Sequence, residues 1–355
     1  MVEENRFVCV DPWRANAKEV SALKVGLIGL GDIAQKAYLP VIGVRNDVTL
    51  HFCTRNENKL QQLGAAYRID SGHRYNSLDS LLRVGLDAVF VHAATDAHYE
   101  IVKRCLVEGL HVFVDKPVTY TLKETEELIA LAQRNRRLLT VGFNRRFAPL
   151  YRGLHEQGVP DIAIMQKNRV GLPGDVRTFV LDDFIHVIDT LRWLIRGGEP
   201  SVHVRCKSTA EGKLAHVIVQ LGIHQRTAIG IMNRDSGAVE ETLEWMKDGQ
   251  KCKVTNLREM VRYKDNQEHH THAEDWTSVG HVRGFHAMVD AFLIDVKRLQ
   301  RDDDAAWEAF SAMMEEDLAT HRICEEIVRQ IDVVKNNSGE RDPEERDPEE
   351  HSRIH

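Results

Sequence analysis

The chain has 355 residues, 43% hydrophobic and 28% charged, which suits two globular domains; no stretch approaches the ~20 consecutive apolar residues of a membrane-spanning helix. The formal net charge is −7, and residues 338–355, with seven acids against three arginines, carry −4 of it. A near-neutral body gives no electrostatic reason to expect nucleic acid as a partner, and the six dispersed cysteines, with no Cys-x-x-Cys pair, argue against a zinc ribbon or a disulfide framework.

Residues 1–22 scatter Glu3, Glu4, Arg6 and Asp11 through a segment with no apolar signal-peptide core, so an N-terminal extension on a cytoplasmic protein is expected. From Leu23 to about Phe143, apolar bursts alternate with amphipathic stretches, the pattern of a doubly wound parallel sheet. Expected strands are Leu23–Ile28, Thr49–Cys53, Ala88–His92, His111–Val114 and Leu138–Phe143; Thr121–Arg134 is expected to be helical, with Leu128, Ile129 and Leu131 turned inward. A Rossmann domain over 23–148 follows, with a second α/β domain over 149–334. In the second, period-two alternation (Val217, Val219, Leu221; Leu243, Trp245), with Thr227–Met232 and Glu259–Tyr263, predicts an open, mostly antiparallel sheet. Two helices should follow, in which Phe285, Met288, Val289, Phe292 and Val296, and then Trp307, Phe310, Met314 and Leu318, repeat at three and four. Residues 335–355, with Arg-Asp-Pro-Glu-Glu repeated from Arg341 and Arg346, read as a disordered acidic tail; a fragment of an acidic interaction motif is the alternative.

Val25-Gly26-Leu27-Ile28-Gly29-Leu30-Gly31-Asp32-Ile33-Ala34 runs from a strand through a Gly-x-Gly-x-x-Ala turn into a helix. Gly29 permits the tight turn, and Gly31 lets backbone N–H groups approach a pyrophosphate at the helix N-terminus. Gly29, Gly31, Asp32 and Ile33 are therefore expected at a dinucleotide, against the alternative of a bare structural turn. The next strand ends in Cys53-Thr54-Arg55-Asn56, where an NAD site would carry an acid. Thr54, Arg55 and Asn56 can donate hydrogen bonds to a 2′-phosphate and Arg55 adds positive charge, so NADP is expected, with NAD possible; otherwise Arg55 is a surface arginine.

At Val112-Phe113-Val114-Asp115-Lys116-Pro117 the chain resembles the glucose–fructose oxidoreductase / inositol dehydrogenase / MocA (Gfo/Idh/MocA) family, with Asp115 where a Glu is usual. The likeness continues through Ala93-Ala94-Thr95-Asp96-Ala97-His98, Val141-Gly142-Phe143-Asn144-Arg145-Arg146 and Asp182-Asp183-Phe184-Ile185-His186-Val187-Ile188-Asp189. Runs such as Leu172-Pro173-Gly174-Asp175-Val176-Arg177 are similar to the MviM-type oxidoreductases. Many relatives have Thr-Pro where Ala93-Ala94 stands. The resemblance implies NAD(P)-dependent hydride transfer at a secondary alcohol or ketone of a sugar, cyclitol or related polyol, and a homodimer or homotetramer through the open sheet.

Lys116 follows a buried strand at its carboxyl end, where ligands of open α/β sheets bind, and its ammonium can stabilise charge on a substrate oxygen. A solvated lysine is the bland reading, which the resemblance reverses. Asp182, His186 and Asp189, at i, i+4 and i+7, share a face of a helix. Their spacing, with the resemblance, assigns His186 as general acid/base, Asp182 as its orienting, substrate-binding partner, and Asp189 to structure. A helix capped by Asp182 or Asp183 above a packed histidine is the alternative. Thr95, His98, Lys116, Asn144 and Arg145 are expected beside the cofactor, though His98 could cap a helix and Arg145 could form an interdomain salt bridge. Glu268-His269-His270-Thr271-His272 matches no standard zinc spacing and is expected in an exposed loop, with no metal. A competing reading is a non-catalytic NAD(P)-binding sensor on the same fold, which has no need of a proton relay; a structural interaction module built on the open sheet is a third.

Overall fold

Short apolar runs between amphipathic helices make strands that are covered on both faces, and the computed structural model, which describes residues 22–301 and 303–337, begins with such a sheet. Its strands are β1 (Leu23–Ile28), β2 (Val48–Cys53), β3 (Arg74–Tyr75), β4 (Ala88–Val91), β5 (His111–Val114) and β6 (Leu139–Val141). All are parallel, in the order β3-β2-β1-β4-β5-β6, so the chain reverses direction across the sheet between β1 and β4. The five strands expected from periodicity are present with small changes at their ends; β3 is too short and polar to leave a periodic signal. Helix Leu122–Arg134 starts at Thr121, whose hydroxyl accepts from the Glu124 N–H, and it buries Leu128, Ile129 and Leu131.

The second sheet has eight strands: β7 (Ile162–Asn168), β8 (Ser201–Ser208), β9 (Leu214–Ile223), β10 (Arg226–Asn233), β11 (Glu240–Lys247), β12 (Gln250–Thr255), β13 (Glu259–Lys264) and β14 (Gln267–His272). Their order is β14-β13-β12-β11-β7-β10-β9-β8. Every neighbouring pair is antiparallel except β7 and β10, which run parallel from Ile162 beside Thr227 to Asn168 beside Asn233. Val217, Val219, Leu221, Leu243 and Trp245 are buried, as their alternation requires. Helix Ile185–Ile195 lies on this face, close enough at Gly230 that a Cβ there would stand 3.0 Å from Val187. The His-rich segment corrects one expectation: it is not a loop but the edge strand β14, exposed along its length. A hairpin with β13 satisfies the inner edge of its backbone, and its charged, polar side chains keep the outer edge solvated.

Two long helices end the described chain. Phe285–Leu299 turns back onto the first sheet, where Phe292 meets Phe90 and Phe113 with ring centroids 5.1 and 5.6 Å apart. Asp304–Asn337 buries Phe310, Met314 and Leu318 and runs past residue 335; the acidic tail expected beyond it lies, from residue 338, outside the described residues, as do residues 1–21.

Arg146 ties these parts together. Following β6, it ion-pairs with Asp189 of helix Ile185–Ile195 and, at 2.8 Å, with Asp317 of the last helix. Burial pushes the Asp317 carboxyl up to about 7 against the pull of Arg146. Folding therefore takes up a proton here between about pH 4 and pH 7, so this stabilisation is full below that window and fades as pH rises through it. Asp317→Asn cannot ionise, and its melting temperature relative to the parent should climb from about pH 5 to about pH 8. A pH-independent difference in thermal denaturation would show the carboxyl ionised throughout.

Candidate active site

Two clefts open at the carboxyl ends of the first sheet's strands. The first, ≈ 760 Å³, is lined by Gly29, Gly31, Thr54, Arg55 and Asn56. Gly29 has φ +90°, and a Cβ there would lie 2.6 Å from the Ala93 nitrogen, so only glycine lets the turn pass so close to the β4 loop. Around Gly31, by contrast, a Cβ would meet nothing within 4 Å. Those two glycines thus differ in role: one makes the turn, the other leaves open the space that a pyrophosphate would fill. Asn56 accepts at its side-chain oxygen from the Lys59 N–H, capping helix Glu57–Ala66, while its amide N–H groups remain donors. Arg55 has no carboxylate partner among the described residues, and Lys59, Asn76 and Ser77 join the lining unforeseen. Asp32 points away into an exposed ion pair with Lys36 at 2.9 Å, and Ile33 lines the second cleft instead. The residues present fit a dinucleotide.

The second cleft, ≈ 590 Å³, brings Lys116, Asn144, Arg145, Asp182 and His186 together. Lys116 leaves β5 through a cis peptide to Pro117, and its ammonium donates to the backbone carbonyl of Asp182. His98 sits outside both clefts. Its ring nitrogens contact the carbonyls of Pro117 (3.0 Å), Val118 (3.2 Å) and Ala93 (3.0 Å), tying the loop after β4 to the loop that aims Lys116. Thr95 opens the neighbouring turn Thr95–Ala97 and also lines neither cleft. Asp115 is held by the Tyr38 hydroxyl at 3.3 Å; burial pushes its carboxyl up despite the adjacent Lys116.

The expected pairing of Asp182 with His186 is absent. The Asp182 carboxylate instead accepts from the Tyr120 hydroxyl at 2.9 and 3.0 Å. Residues Val180–Phe184 form a π-helical turn, which has more residues per turn than an α-helix and rotates Asp182 off the position that i, i+4 spacing gives it. His186 Nδ1 is buried without a partner. Nor is the imidazolium favoured: burial, then Arg145, Lys167 and Lys116, hold the ring well below its ordinary range, so it is neutral at pH 7. Asp183 is likewise no cap. It is the common carboxylate of Lys167, Arg169 at 3.0 Å and Arg234 at 3.4 Å; burial opposes its ionisation, but these cations outweigh it and hold the carboxyl below the usual range. Burial and then Arg145 pull the Lys167 ammonium down to about 7.

Arg145 makes a buried two-pronged pair with Glu241 of β11, at 3.0 and 2.7 Å, and a third bond to Asn144. Asn144 in turn donates to the Arg283 carbonyl at 2.8 Å. Arg145 is thus the bridge between the two sheets and a cleft residue at once. Sequence reasoning missed Lys167, Arg169, Arg234 and Arg283, all of which line this cleft. Lys167 near the end of β7 and Arg169 just past it stand two residues apart, a spacing no different from that of any solvated pair.

Residues 23–143 match the oxidoreductase family with an NAD-binding Rossmann fold, Gfo/Idh/MocA, and residues 149–265 match the C-terminal domain of YceM-like proteins. YceM of Salmonella typhimurium is 35% identical over 298 residues, 82% of this chain and 94% of that protein. A Gfo/Idh/MocA family oxidoreductase from Vibrio cholerae superposes with TM-score 0.81 at 35% identity, covering 88% of this chain and 99% of the other. The dehydrogenase MviM from Clostridium difficile gives 0.77 at 29% identity, covering 87% and 99%. No helix among the described residues is long and apolar enough to cross a membrane.

Proposed function

The chain belongs to the Gfo/Idh/MocA family of NAD-binding oxidoreductases, and from that premise we propose that it moves hydride between NADP and a secondary alcohol or ketone of a sugar, cyclitol or related polyol. The observation that carries this reading is the meeting of Lys116 and His186, 70 residues apart in sequence, in one cleft lined also by Ile33 of the glycine-loop helix. The cofactor, when bound, supplies the nicotinamide carbon that gives or accepts hydride.

The protein's own part is to hold the substrate oxygen and move its proton. Lys116 donates a hydrogen bond to that oxygen, and the surrounding cations favour the alkoxide-like charge that grows on it as hydride departs. His186, neutral at pH 7, is ready to accept the hydroxyl proton in the oxidation direction and returns it in reduction. Asp182 has its carboxylate engaged by Tyr120 and its carbonyl by Lys116, so it positions the lysine. Turnover of a panel of sugars and cyclitols, followed by absorbance of the reduced cofactor with NAD and with NADP, tests the reading; no hydride transfer with any of them would favour the sensor.

Thr54, Arg55 and Asn56 support the preference for NADP, since a 2′-phosphate there meets donors and one unpaired guanidinium. Calorimetric titration is expected to show tighter binding of NADP than of NAD, and Arg55→Asp to reverse or abolish the difference. Equal affinities in the parent protein would count against it.

A further inference from the structure

The second cleft holds more positive charge than its own carboxylates balance. Two guanidinium cations, Arg169 and Arg234, and the Lys167 amine while it is protonated, share the single carboxylate of Asp183. Arg283, which is exposed, lines the same cleft with no carboxylate partner among the described residues. Lys116 reaches a backbone carbonyl, and the Asp182 carboxylate is already engaged by Tyr120. Two donors or acceptors remain unsatisfied where burial makes that costly: Arg234 Nε and His186 Nδ1, the latter on a residue 8% exposed. A cavity so lined is complementary to an anion, and two guanidinium forks suit the paired oxygens of a carboxylate or phosphate.

We propose that the substrate carries an oxyanion, a carboxylate or a phosphate, held by Arg169, Arg234 and Arg283 while Lys116 and His186 meet the reacting hydroxyl. This deepens the oxidoreductase reading above and rests on it. The charge belongs on the same small molecule as the alcohol. Asp183, around which the arginines gather, precedes His186 by three residues, and both line the same cleft of ≈ 590 Å³, which holds one small molecule. The oxyanion and the carbinol are therefore a few bonds apart, as in a sugar acid, a hydroxylated acid or a monosaccharide phosphate.

The test is calorimetry on the full chain saturated with NADP, with gluconate, glucuronate and glucose 6-phosphate as oxyanion probes and glucose and myo-inositol as neutral ones. At least one oxyanion probe should bind about ten-fold or more tightly than either neutral probe and weaken steeply with added salt. Arg234→Gln and Arg283→Gln should each cost that probe about ten-fold while leaving NADP affinity at the parent value. Should Arg234→Gln fail to fold, the exposed Arg283→Gln carries the same comparison. A carboxylate preferred over the phosphate, or the reverse, identifies the oxyanion. Equal binding of charged and neutral probes, no binding of any oxyanion probe, or oxyanion affinity unchanged in the folded variants overturns the proposal. The oxidoreductase reading fails separately, through absence of NADP and NAD binding in the first titration.

Discussion

His186→Ala and Lys116→Ala should each lower turnover by at least ~100-fold while NADP affinity stays close to the parent's. The expectation follows from where the two side chains stand. Both line the second cleft, whereas the glycine turn and Thr54-Arg55-Asn56 line the first, so chemistry and cofactor affinity are separable by mutation. On the proposed mechanism, removing Lys116 takes away the ammonium that meets the substrate oxygen, and removing His186 takes away the neutral base that accepts the proton. The pH profile sharpens the prediction. Because burial, then Arg145, Lys167 and Lys116, disfavour the charged imidazole, the acid limb of kcat/KM for alcohol oxidation in the parent should fall below the ordinary histidine range, and it should vanish from the residual rate of His186→Ala. Circular dichroism checks that both variants are folded. Normal turnover by both would move the site elsewhere, and an acid limb at about pH 6.5 in the parent would contradict the cationic surroundings of the ring.

Arg146→Ala is expected to cost stability far more than it costs chemistry. Arg146 is the shared counter-ion of Asp189 and Asp317, which are 1% and 3% exposed. Removing one partner of a buried pair typically costs about 3–5 kcal/mol, because the remaining charge is left without water or a counter-ion. Here both carboxyls lose their counter-ion; Asp317, already pushed up to about 7 beside Arg146, is left to protonate, so the uncompensated charge falls on Asp189, to which Thr320 donates at 3.2 Å. Urea denaturation should place the variant several kcal/mol below the parent, on the order of the buried-pair figure, with Arg146→Lys recovering part of the loss. A difference under about 1 kcal/mol would mean that the pair behaves like a solvated one.

The local parts of this protein were readable from residue order. The glycine turn is short-range stereochemistry: Gly29 must take a positive φ against the β4 loop, and a strand before it and a helix after it already require such a turn. The alternation of Val217, Val219 and Leu221 reports one buried face, because a strand turns successive side chains to opposite sides. Helix Leu122–Arg134 announces itself through its Thr121 cap and apolar stripe. Lys116 and His186 were singled out largely through the resemblance of four ordered motifs to a family, since nothing in their own spacing brings them together.

Tertiary structure alone decided what surrounds those residues. Lys167 and Arg169 carry no signal in the sequence; the parallel pairing of β7 with β10 sets Asn168 beside Asn233 and brings Arg234 to the same carboxylate, Asp183. A parallel pair needs a long crossover, and here it encloses helix Ile185–Ile195 and β8–β9, so no local pattern encodes it. The same is true of Arg145 with Glu241 and of helix Phe285–Leu299, which lies far along the chain from the first sheet yet covers it. Asp182 fails to meet His186 for a subtler reason: it lies in a π-helical turn, and the tyrosine that engages its carboxylate lies 62 residues earlier. Periodicity records whether a side chain meets water. Which charges meet each other depends on the path of the chain, and in this protein that path sets the charge of the cleft and the neutral state of its histidine.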